Sequence, residues 1–406
     1  MVCAISRWGH GYGSTMNIVP EILALHADMR RWRRQLHQYP EVAFEETATG
    51  RLIVEQLRKV GIEVHPGMAR TGIIGILRRG SSSNSIALRA DMDALFIQEQ
   101  NRFEYASRNG GKMHACGHDG HCAMLLGAAH YLANHGRFDG AVYFIFQPAE
   151  ECRAGAHQMI SEGLFEQFPA QRVFGMHNFP DVPVGHFAVK AGPMMASFDC
   201  FEINLSGQAT HAAMPHLGND VLVAAAHLVT QLQTIVSRQI DPADAAVVSV
   251  TQIHGGNTWN ALPDSAIVRG TFRSFKNSVR VQLEQSISHL SQSVAQGFRI
   301  NAHIRFNPEN PGYPVTINSP DETTSAIRAA IAVAGKHCVN TAPIPSMGAE
   351  DFAFMLQEKA GCYIWIGNGN SQGNCLLHNP SYDFNDEILP LGAAYWVRLA
   401  ENELAG

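Results

Sequence analysis

The sequence predicts an α/β fold: a larger, discontinuous domain around a central, mostly parallel sheet, interrupted by an inserted ferredoxin-like α+β domain. Two observations predict it. Predicted strands alternate with predicted helices over the first part of the 406-residue chain and again near its end. Between these parts, residues 193–308 follow the order β-α-β-β-α-β, which is complete in itself. We therefore expect the larger domain at 18–192 and 309–406, the inserted domain at 193–308 and a disordered tail at 1–17.

The elements of the larger domain follow from the spacing of apolar residues. A helical pattern runs from about Ile18 to Gly61, and further helices are predicted at 122–135 and 321–335. The run AVYFIFQ at 141–147 is apolar almost throughout, which is typical of a central strand buried on both faces. The other predicted strands are IIGIL at 73–77, SIALRADMD at 85–93, RVFGMHN at 172–178 and CYIWIG at 362–367.

The inserted domain is predicted from a second set of alternating and helical patterns. Its strands are FDCFEINLSG at 198–207, AAVVSVTQIHGG at 245–256, SAIVRGTFRSF at 265–275 and NAHIRF at 301–306. Its two helices are predicted at 219–239, after the first strand, and at 278–298, after the third.

Composition and charge exclude several classes of protein. Hydrophobic residues make up 46% of the chain and charged residues 16%, which is enough apolar mass for a packed core. The formal net charge is −6 and the pI about 6.4, so no basic surface is predicted for nucleic acid or an anionic membrane. The basic run at 30–34 falls within a helical pattern, and we interpret it as a solvated helix face.

The sequence also bears on location. No apolar run approaches the roughly 20 residues that a membrane span needs, and the first 16 residues lack the apolar core of a signal peptide. Met16 is a second candidate start. The eight cysteines are scattered and form no CxxC pair, which favours a reduced, cytoplasmic protein over a disulfide-stapled one.

Residues 113–124, MHACGHDGHCAM, combine three histidines, two cysteines and an aspartate in one dozen. Candidate ligands also follow three predicted strands, and the carboxyl ends of strands in an open α/β sheet meet at one edge. Together with a late histidine, the candidates are Asp91, Asp93, His114, Cys116, His118, His121, Glu150, Glu151, His177 and His378.

This donor set predicts a metal site. Thiolate, imidazole and carboxylate together suit zinc or manganese, with cobalt or nickel as alternatives. Five or more ligands exceed what one tetrahedral ion takes, so we expect two divalent metal ions per subunit. Glu150 and Glu151 directly follow a buried strand, where adjacent carboxylates are costly without cationic partners. The alternative for this pair is an ordinary solvated helix start.

The motifs MHACGHDGH, QPAEE, MHN, GQATHAAMPH and LHNPSYDFND, in this order and spacing, resemble the co-catalytic metallopeptidase family of aminoacylases and glutamate carboxypeptidases. The Cys-containing loop is similar to the branch of hippurate hydrolase and the plant auxin-conjugate amidohydrolases. The resemblance covers nearly the whole chain from about Ile22. It implies a catalytic, metal-binding larger domain, an inserted lid or dimerisation domain, and a homodimer or dimer of dimers.

The resemblance also implies residue roles. Glu150 would be the general base and acid, and His211 would reach a partner subunit's site to stabilise the oxyanion. Asn260 and Arg273 would bind the substrate carboxylate or the oxyanion, although Arg273 could instead form a salt bridge within its own domain. The implied metal ligands are Cys116, His118, Glu151, His177 and His378, and the residues expected to orient them are Asp91, Asp93, His114 and Asp119.

The predicted function is that of a dinuclear metal amidohydrolase that cleaves N-acyl amino acids, such as hippurate-like or N-acetyl compounds, with metal-activated water. One alternative keeps the chemistry and changes the substrate, to a dipeptide or an N-acetylated metabolic intermediate. Another is a non-catalytic metal-binding protein, which the free glutamate beside Glu151 argues against. Glu350 and Asp351 are candidates for the pocket wall or for a helix N-terminus.

Overall fold

The computed structural model describes residues 16–369 and 375–406, so most of the predicted tail at 1–17 lies outside the described residues. Its strands, in chain order, are β1 Glu63–Met68, β2 Gly72–Arg79, β3 Ser85–Asp91, β4 Gly140–Gln147, β5 Arg172–Phe179, β6 Phe187–Ala188, β7 Gly192–Met195, β8 Asp199–Ser206, β9 Thr210–His211, β10 Ala246–Gly255, β11 Ala261–Leu262, β12 Ser265–Ser274, β13 Asn301–Phe306, β14 Thr316–Asn318, β15 Val339–Asn340 and β16 Ala360–Gly367.

The helices connect and cover these strands. They are α1 Pro20–Ala24, α2 His26–Gln38, α3 Thr47–Lys59, α4 His118–His135, α5 Glu150–Arg153, α6 Gly155–Ser161, α7 Leu164–Gln167, α8 Val221–Thr234, α9 Asn277–Phe298, α10 Pro320–Ala334, α11 Phe352–Glu358 and α12 Leu389–Glu403. Helix α8 continues into a π-helical turn at Ile235–Gln239.

The larger sheet has eight strands in the order β1-β2-β4-β3-β5-β16-β6-β15. The neighbours β4, β3, β5 and β16 run parallel to one another, whereas β2 pairs antiparallel with β4. The predicted central, mostly parallel sheet is therefore confirmed. Four of the five predicted strands lie within strands of the structure, and the strand predicted at 85–93 ends two residues earlier, at Asp91. The agreement is close because unbroken apolar runs have few alternatives to a doubly covered sheet.

Both faces of this sheet are buried, as the continuous apolar strands predict. Along β4, Phe144 and Phe146 pack into one core and Tyr143 and Ile145 into another, because successive side chains point to opposite faces. The first core lies under α2, α4, α10 and α12, and the second lies under α6 and α11.

The smaller sheet has the order β10-β12-β8-β13, and every pairing in it is antiparallel. Helices α8 and α9 cover one face and bury a core of its own. This is the arrangement of a ferredoxin-like unit, and the predicted order β-α-β-β-α-β is confirmed. The boundaries 18–192, 193–308 and 309–406 stay a prediction.

Helix α4 differs from its prediction because it begins at His118 and not at Cys122. The residues 118–121 carry no apolar periodicity, yet all four are buried. Gly117 enters the helix with φ +92°, a left-handed value that suits glycine. The first turn of α4 thus points polar side chains inward. Among the described residues, no helix is long and apolar enough to cross a membrane.

Candidate metal centre and active site

Adjacent parallel strands bring the polar residues of the site to one edge of the larger sheet. Strand β3 ends at Asp91, helix α5 begins at Glu150 just after β4, and β5 holds His177 near its end. Since β4, β3 and β5 are neighbours, their carboxyl ends meet. The first turn of α4 adds His118 from above this edge.

The five predicted metal ligands lie close together. One ligand atom each from Cys116, Glu151 and His378 lies within 4.8 Å of the others, and so do atoms of His118, Glu150 and Glu151. The Nε2 atom of His177 is 3.3 Å from the Cys116 sulfur. Glu151 belongs to both groups. The residues implied by the resemblance therefore converge in space.

Two neighbouring histidines of α4 differ in what their ring nitrogens do. His121 is satisfied at both, by Asp91 at 2.5 Å and by the backbone N–H of Asn178 at 2.9 Å. His118 is fully buried, yet neither of its ring nitrogens makes a hydrogen bond to any described residue. A buried polar group without a partner is costly. His118 therefore fits a metal ligand, and His121 fits a supporting residue.

The electrostatics of the cluster also suit a cation. Burial, reinforced by Glu151 and Glu150, raises the pKa of the Cys116 thiol. Burial, together with the nearby His121, lowers the pKa of His177, so this imidazole is neutral at pH 7. Its Nδ1 atom lies 2.6 Å from the backbone oxygen of Asn178, to which a neutral ring would donate its proton while Nε2 faces Cys116.

Asp93 contacts several residues of the cluster. Its two carboxylate oxygens accept the backbone N–H groups of Glu150 and Glu151, each at 3.0 Å. One of these oxygens lies 3.3 Å from Nδ1 of His118. Burial alone would lower the pKa of His118, but Asp91 and Asp93 outweigh it and raise this pKa to about 10. Asp93 thus fixes the backbone of Glu150 and Glu151 and also faces His118, a candidate ligand.

The turn before Glu150 is held by residues from distant parts of the chain. Ala149 has φ +56°, a left-handed conformation that is unfavourable for a residue with a Cβ. Its N–H donates to Glu46 at 2.9 Å. The hydroxyl of Tyr313 donates to the backbone oxygen of Glu150 at 2.6 Å and accepts the N–H of Ala154 at 3.1 Å. These contacts fix the direction in which Glu150 and Glu151 point.

Glu150 lies against two further carboxylates. Its side chain is 7% exposed, and one of its oxygens lies within 4.8 Å of oxygens of Glu350 and Asp351. Burial first, and then the charges of Glu350 and Glu151, raise the pKa of Glu150 well above its usual value. A carboxyl with a raised pKa is suited to take up and release a proton near neutral pH.

Arg89 supplies the positive charge beneath these carboxylates. It is fully buried and donates to Asp91 at 2.8 Å, Glu350 at 2.9 Å and Asp351 at 3.1 Å. Its Nε donates to Gln147 at 2.8 Å. Arg89 therefore connects Glu350 and Asp351, which lie beside Glu150, with Asp91, which contacts His121.

Arg33 of α2 forms a second buried network on the other side of the ligand loop. It donates to Asp119 at 2.8 Å and is ion-paired with Asp383, while His37 also contacts Asp119 at 2.9 Å. Asp119 therefore acts next to His118 as a fixed anchor. His114 is buried too, and burial lowers its pKa to about 4. Its ring nitrogens have no hydrogen-bond partner among the described residues, so the predicted orienting contact of His114 is not formed.

A cavity of about 440 Å³ opens onto the cluster. Arg273 of β12 lines it from the inserted sheet, where its guanidinium donates to the backbone oxygen of Met347 at 2.8 Å and lies over the Phe198 ring. The other lining side chains are largely apolar or aromatic: Phe179, Met195, Phe198, Trp365, Leu376 and Leu377.

His211 and Asn260 do not line this cavity. The two residues are brought together at an exposed two-stranded sheet formed by β9 and β11, where the backbone N–H of Ala212 donates to the backbone oxygen of Asn260. Within the single chain, the structure therefore separates them from the residues that hold Glu150.

The sequence profile described as peptidase family M20/M25/M40 matches residues 87–402. The chain belongs to this family. Hippurate hydrolase of Campylobacter jejuni is 40% identical over 95% of this chain and 99% of that protein. N-acetyl-L-cysteine deacetylase of Bacillus subtilis is 38% identical over 90% of this chain and 85% of that protein. The predicted resemblance to this family and to its hippurate hydrolase branch is confirmed.

A solved structure agrees with the M20 assignment. The crystal structure of a Bacillus subtilis protein described as a dinuclear metal-binding peptidase of the M20 family superposes with a TM-score of 0.80. It is 34% identical and covers 94% of this chain and 99% of that one. This M20-family chain is therefore a hydrolase, and the cluster of histidine and acidic residues at its strand ends is a metal-site cluster.

Several residues that shape this M20-family site were not among the predicted site residues. The local sequence gives no indication that Arg33, Glu46 or Arg89 has a role in the site. His121, by contrast, was among the candidate ligands, and it lies three residues after His118 on the same face of α4. The buried charges show their role only once the fold brings their partners together.

Glu46 gives a pH-dependent prediction. Its side chain is buried, and burial, together with Asp93, raises its pKa from 4.5 to about 7. A carboxyl with a raised pKa stabilises the fold fully below pH 4.5, and this contribution is lost as the pH rises to 7. Glu46→Gln removes the titration. From pH 4.5 to 7.5 the variant should gain about 3 kcal/mol in unfolding free energy relative to the native protein.

This prediction is checked by urea unfolding of both proteins across that pH range. Glu45→Gln is the control, because Glu45 is exposed and pairs with Lys112 at the surface, where an ion pair contributes little. A constant difference between native protein and Glu46→Gln would contradict the prediction.

Proposed function

We propose that this chain hydrolyses the amide bond of N-acyl amino acids and releases a carboxylic acid and an amino acid. The observation that carries the proposal is the position of Glu150 in one cavity with the metal-ligand cluster and with Arg273. The carboxyl of Glu150, which is assigned to no metal ion, stands next to Glu151, and the guanidinium of Arg273 faces the same cavity. Such a site combines a proton acceptor with a group that recognises a carboxylate.

We propose that the site holds two divalent ions, zinc or manganese by preference, with cobalt or nickel as alternatives. Cys116, His118, Glu151, His177 and His378 would hold them. The thiol, imidazole and carboxylate donors suit these ions, and the buried ring of His118, which faces Asp91 and Asp93 but makes no hydrogen bond to any described residue, fits a ligand. Glu151 belongs to both close groups, which fits a carboxylate shared by two ions.

Each group in the site then has a separate role in the reaction. Bound ions supply Lewis acidity to the attacking water and the amide carbonyl. Glu150 takes the proton of the water and returns it to the departing amine. Asp93 and Tyr313 hold the backbone of Glu150 during both transfers. Arg273 binds the carboxylate of the amino acid with its planar guanidinium, which positions the amide over the cluster.

The second candidate is a deacetylase of an N-acetylated amino acid or metabolic intermediate, which is favoured by the likeness to the Bacillus subtilis deacetylase. A dipeptidase is a third candidate with the same chemistry. Membership of a peptidase family favours all three over a non-catalytic metal-binding protein. The cytoplasmic location predicted from the sequence stays a prediction.

A substrate panel tests the proposal. Hippurate, N-acetyl amino acids and dipeptides are compared by kcat/KM, and we expect at least one N-acyl amino acid to exceed every dipeptide. If Arg273 binds the carboxylate, Arg273→Ala should raise KM for that substrate about tenfold or more, with a smaller effect on an amide that lacks the carboxylate. Arg305→Ala, which removes an arginine paired with Glu202 outside the cavity, is the control. Dipeptides as preferred substrates would refute the assignment.

We propose a dimer in which His211 completes the site of the partner subunit. His211 is exposed and lies outside the cavity of its own chain, which fits a residue that acts across subunits. Mixed dimers of His211→Ala and Glu150→Gln subunits should recover up to about half of native activity, since one of two sites is intact in the mixed species. Recovery is measured on heterodimers isolated by two affinity tags. No recovery would place a complete site within one subunit.

A further inference from the structure

A second cavity, of about 890 Å³, lies between helix α3 and the β1–β2 hairpin. We call it the α3 groove. Helix α3 contributes Arg51, Val54 and Arg58, which share one face because they are spaced by three, four and seven residues. The opposite wall consists of Pro66, Gly67, Arg70 and Thr71, and Ile73 forms an apolar floor with Val54.

The α3 groove is rich in unpaired positive charge. Arg51, Arg58 and Arg70 all line it, and none of the three has an acidic partner among the residues that the structure describes. Lys59 also lines it but is paired with Glu55 at 2.7 Å. The two acidic residues that line the groove are engaged elsewhere, Glu55 by Lys59 and Glu46 by Thr71, so the three arginines leave the lining with a net positive charge. They form a site for oxyanions, which arginine binds through paired N–H donors.

The spacing of these arginines indicates the size of a ligand. Arg51 and Arg58 are seven residues apart on α3, so their Cα atoms are separated by about 10 Å along the helix. Between them the groove is lined by the apolar Val54 and Ile73 and by Glu55, whose carboxylate is paired with Lys59. The groove therefore suits a small organic molecule with an oxyanion at each end and a less polar middle.

The third arginine is held in place by a strained turn. Ala69 and Arg70 both have positive φ, +47° and +72°, which is uncommon for residues with a Cβ. Glu162 accepts the N–H of Ala69 at 2.6 Å, and the Arg70 guanidinium lies over the Phe44 ring at 4.9 Å. Strain of this kind persists only where the surrounding structure enforces it, and it clusters at ligand sites.

The wall of the groove is connected to the catalytic turn. Thr71 lines the groove and donates its hydroxyl to Glu46 at 2.6 Å. The other oxygen of Glu46 accepts the N–H of Ala149, the left-handed residue that precedes Glu150. Two hydrogen bonds therefore join the groove to the glutamates of the active site.

We propose that the α3 groove is a regulatory binding site for a small organic anion with two oxyanion groups, phosphate or carboxylate. A bound oxyanion beside Arg70 competes with Glu46 for the Thr71 hydroxyl. Glu46 then loses one of its two fixed contacts, and the turn at Ala149 becomes less ordered. Occupancy of the groove thereby lowers kcat.

Binding is tested on the metal-loaded native protein by calorimetry with two probes. Fructose 1,6-bisphosphate represents phosphates and suberate represents carboxylates, and the stronger probe identifies the class of anion. We expect Arg58→Glu to weaken binding of that probe at least tenfold. Arg30→Glu is the matched control, because Arg30 is exposed on α2 and reverses the same charge outside the groove. No binding of either probe, or equal affinity in all three proteins, would overturn the site.

Regulation is tested with the best amide substrate of the native protein. A saturating probe should lower kcat at least twofold in the native protein and in Arg30→Glu. In Thr71→Val the arginines remain, so binding should persist while the effect on kcat is lost. Binding without any change in kcat would overturn the regulatory role, and a change that persists in Arg58→Glu would assign the effect to the active site. The binding arm needs no substrate, so it is independent of the proposed function.

Discussion

Glu150→Gln is expected to lower kcat about 10³-fold while the protein keeps its metal content. Glutamine has nearly the shape of glutamate, but it cannot accept the proton of the attacking water, and positioned acid–base catalysis typically contributes 10²- to 10⁴-fold. Glu150 faces the cavity directly beside Glu151 and is assigned to no metal ion, whereas Glu350, which also lines the cavity, is bound by Arg89. Its raised pKa suits it to cycle one proton.

Steady-state kinetics and elemental analysis of the same preparation measure this prediction. Glu166→Gln is the control, because Glu166 lies on α7 and is exposed. A Glu150→Gln protein with near-native kcat would refute the assigned role of Glu150. A variant that lost its metal as well would assign Glu150 to the ligand set instead.

Arg89→Met is expected to cost about 3–5 kcal/mol of unfolding free energy at pH 7.5, the typical effect of breaking a buried ion pair from one side. Methionine fills a similar volume, but it leaves Asp91, Glu350 and Asp351 without their shared cation in a fully buried position. Carboxylates left in this state bind protons more readily, so their pKa values rise. The loss should therefore become smaller as the pH is lowered from 7.5 to 5.

Chemical denaturation at several pH values tests this prediction. Arg78→Met on strand β2 of the same sheet is the control, because Arg78 donates to the Tyr143 hydroxyl and has no carboxylate partner among the described ion pairs. A cost below about 1 kcal/mol, or a cost that does not change with pH, would show that Arg89 does not balance these charges.

The sequence predicted the fold well because its longest apolar runs, which are easy to recognise locally, are also the strands that form the central sheet. Runs such as 141–147 and 172–178 are apolar enough to specify a doubly covered sheet before any contact is known. Short strands near the edge of the sheet were harder to predict from the sequence. Strands β6 and β15 have two residues each, and they form only because the larger sheet offers them a partner.

The candidate site was predicted in part. Cys116, His118, Glu151, His177 and His378 have side chains that bind metals, and their type and their place near strand ends were visible in the sequence. The groups that hold this site together were not visible. Arg33 meets Asp383, and Glu46 meets Ala149, across long stretches of chain, so their roles depend on the folded topology.

The Arg33 network has a consequence for the order in which the protein matures. Its arginine is made early in synthesis, whereas Asp383 and the nearby His378 are among the last described residues to leave the ribosome. A nascent chain therefore presents Cys116, His118, Glu151 and His177 before it can complete the pocket. With the proposed ligand set, stable loading with metal would follow translation, and cells starved of the ion during synthesis would accumulate a protein that can still be activated afterwards.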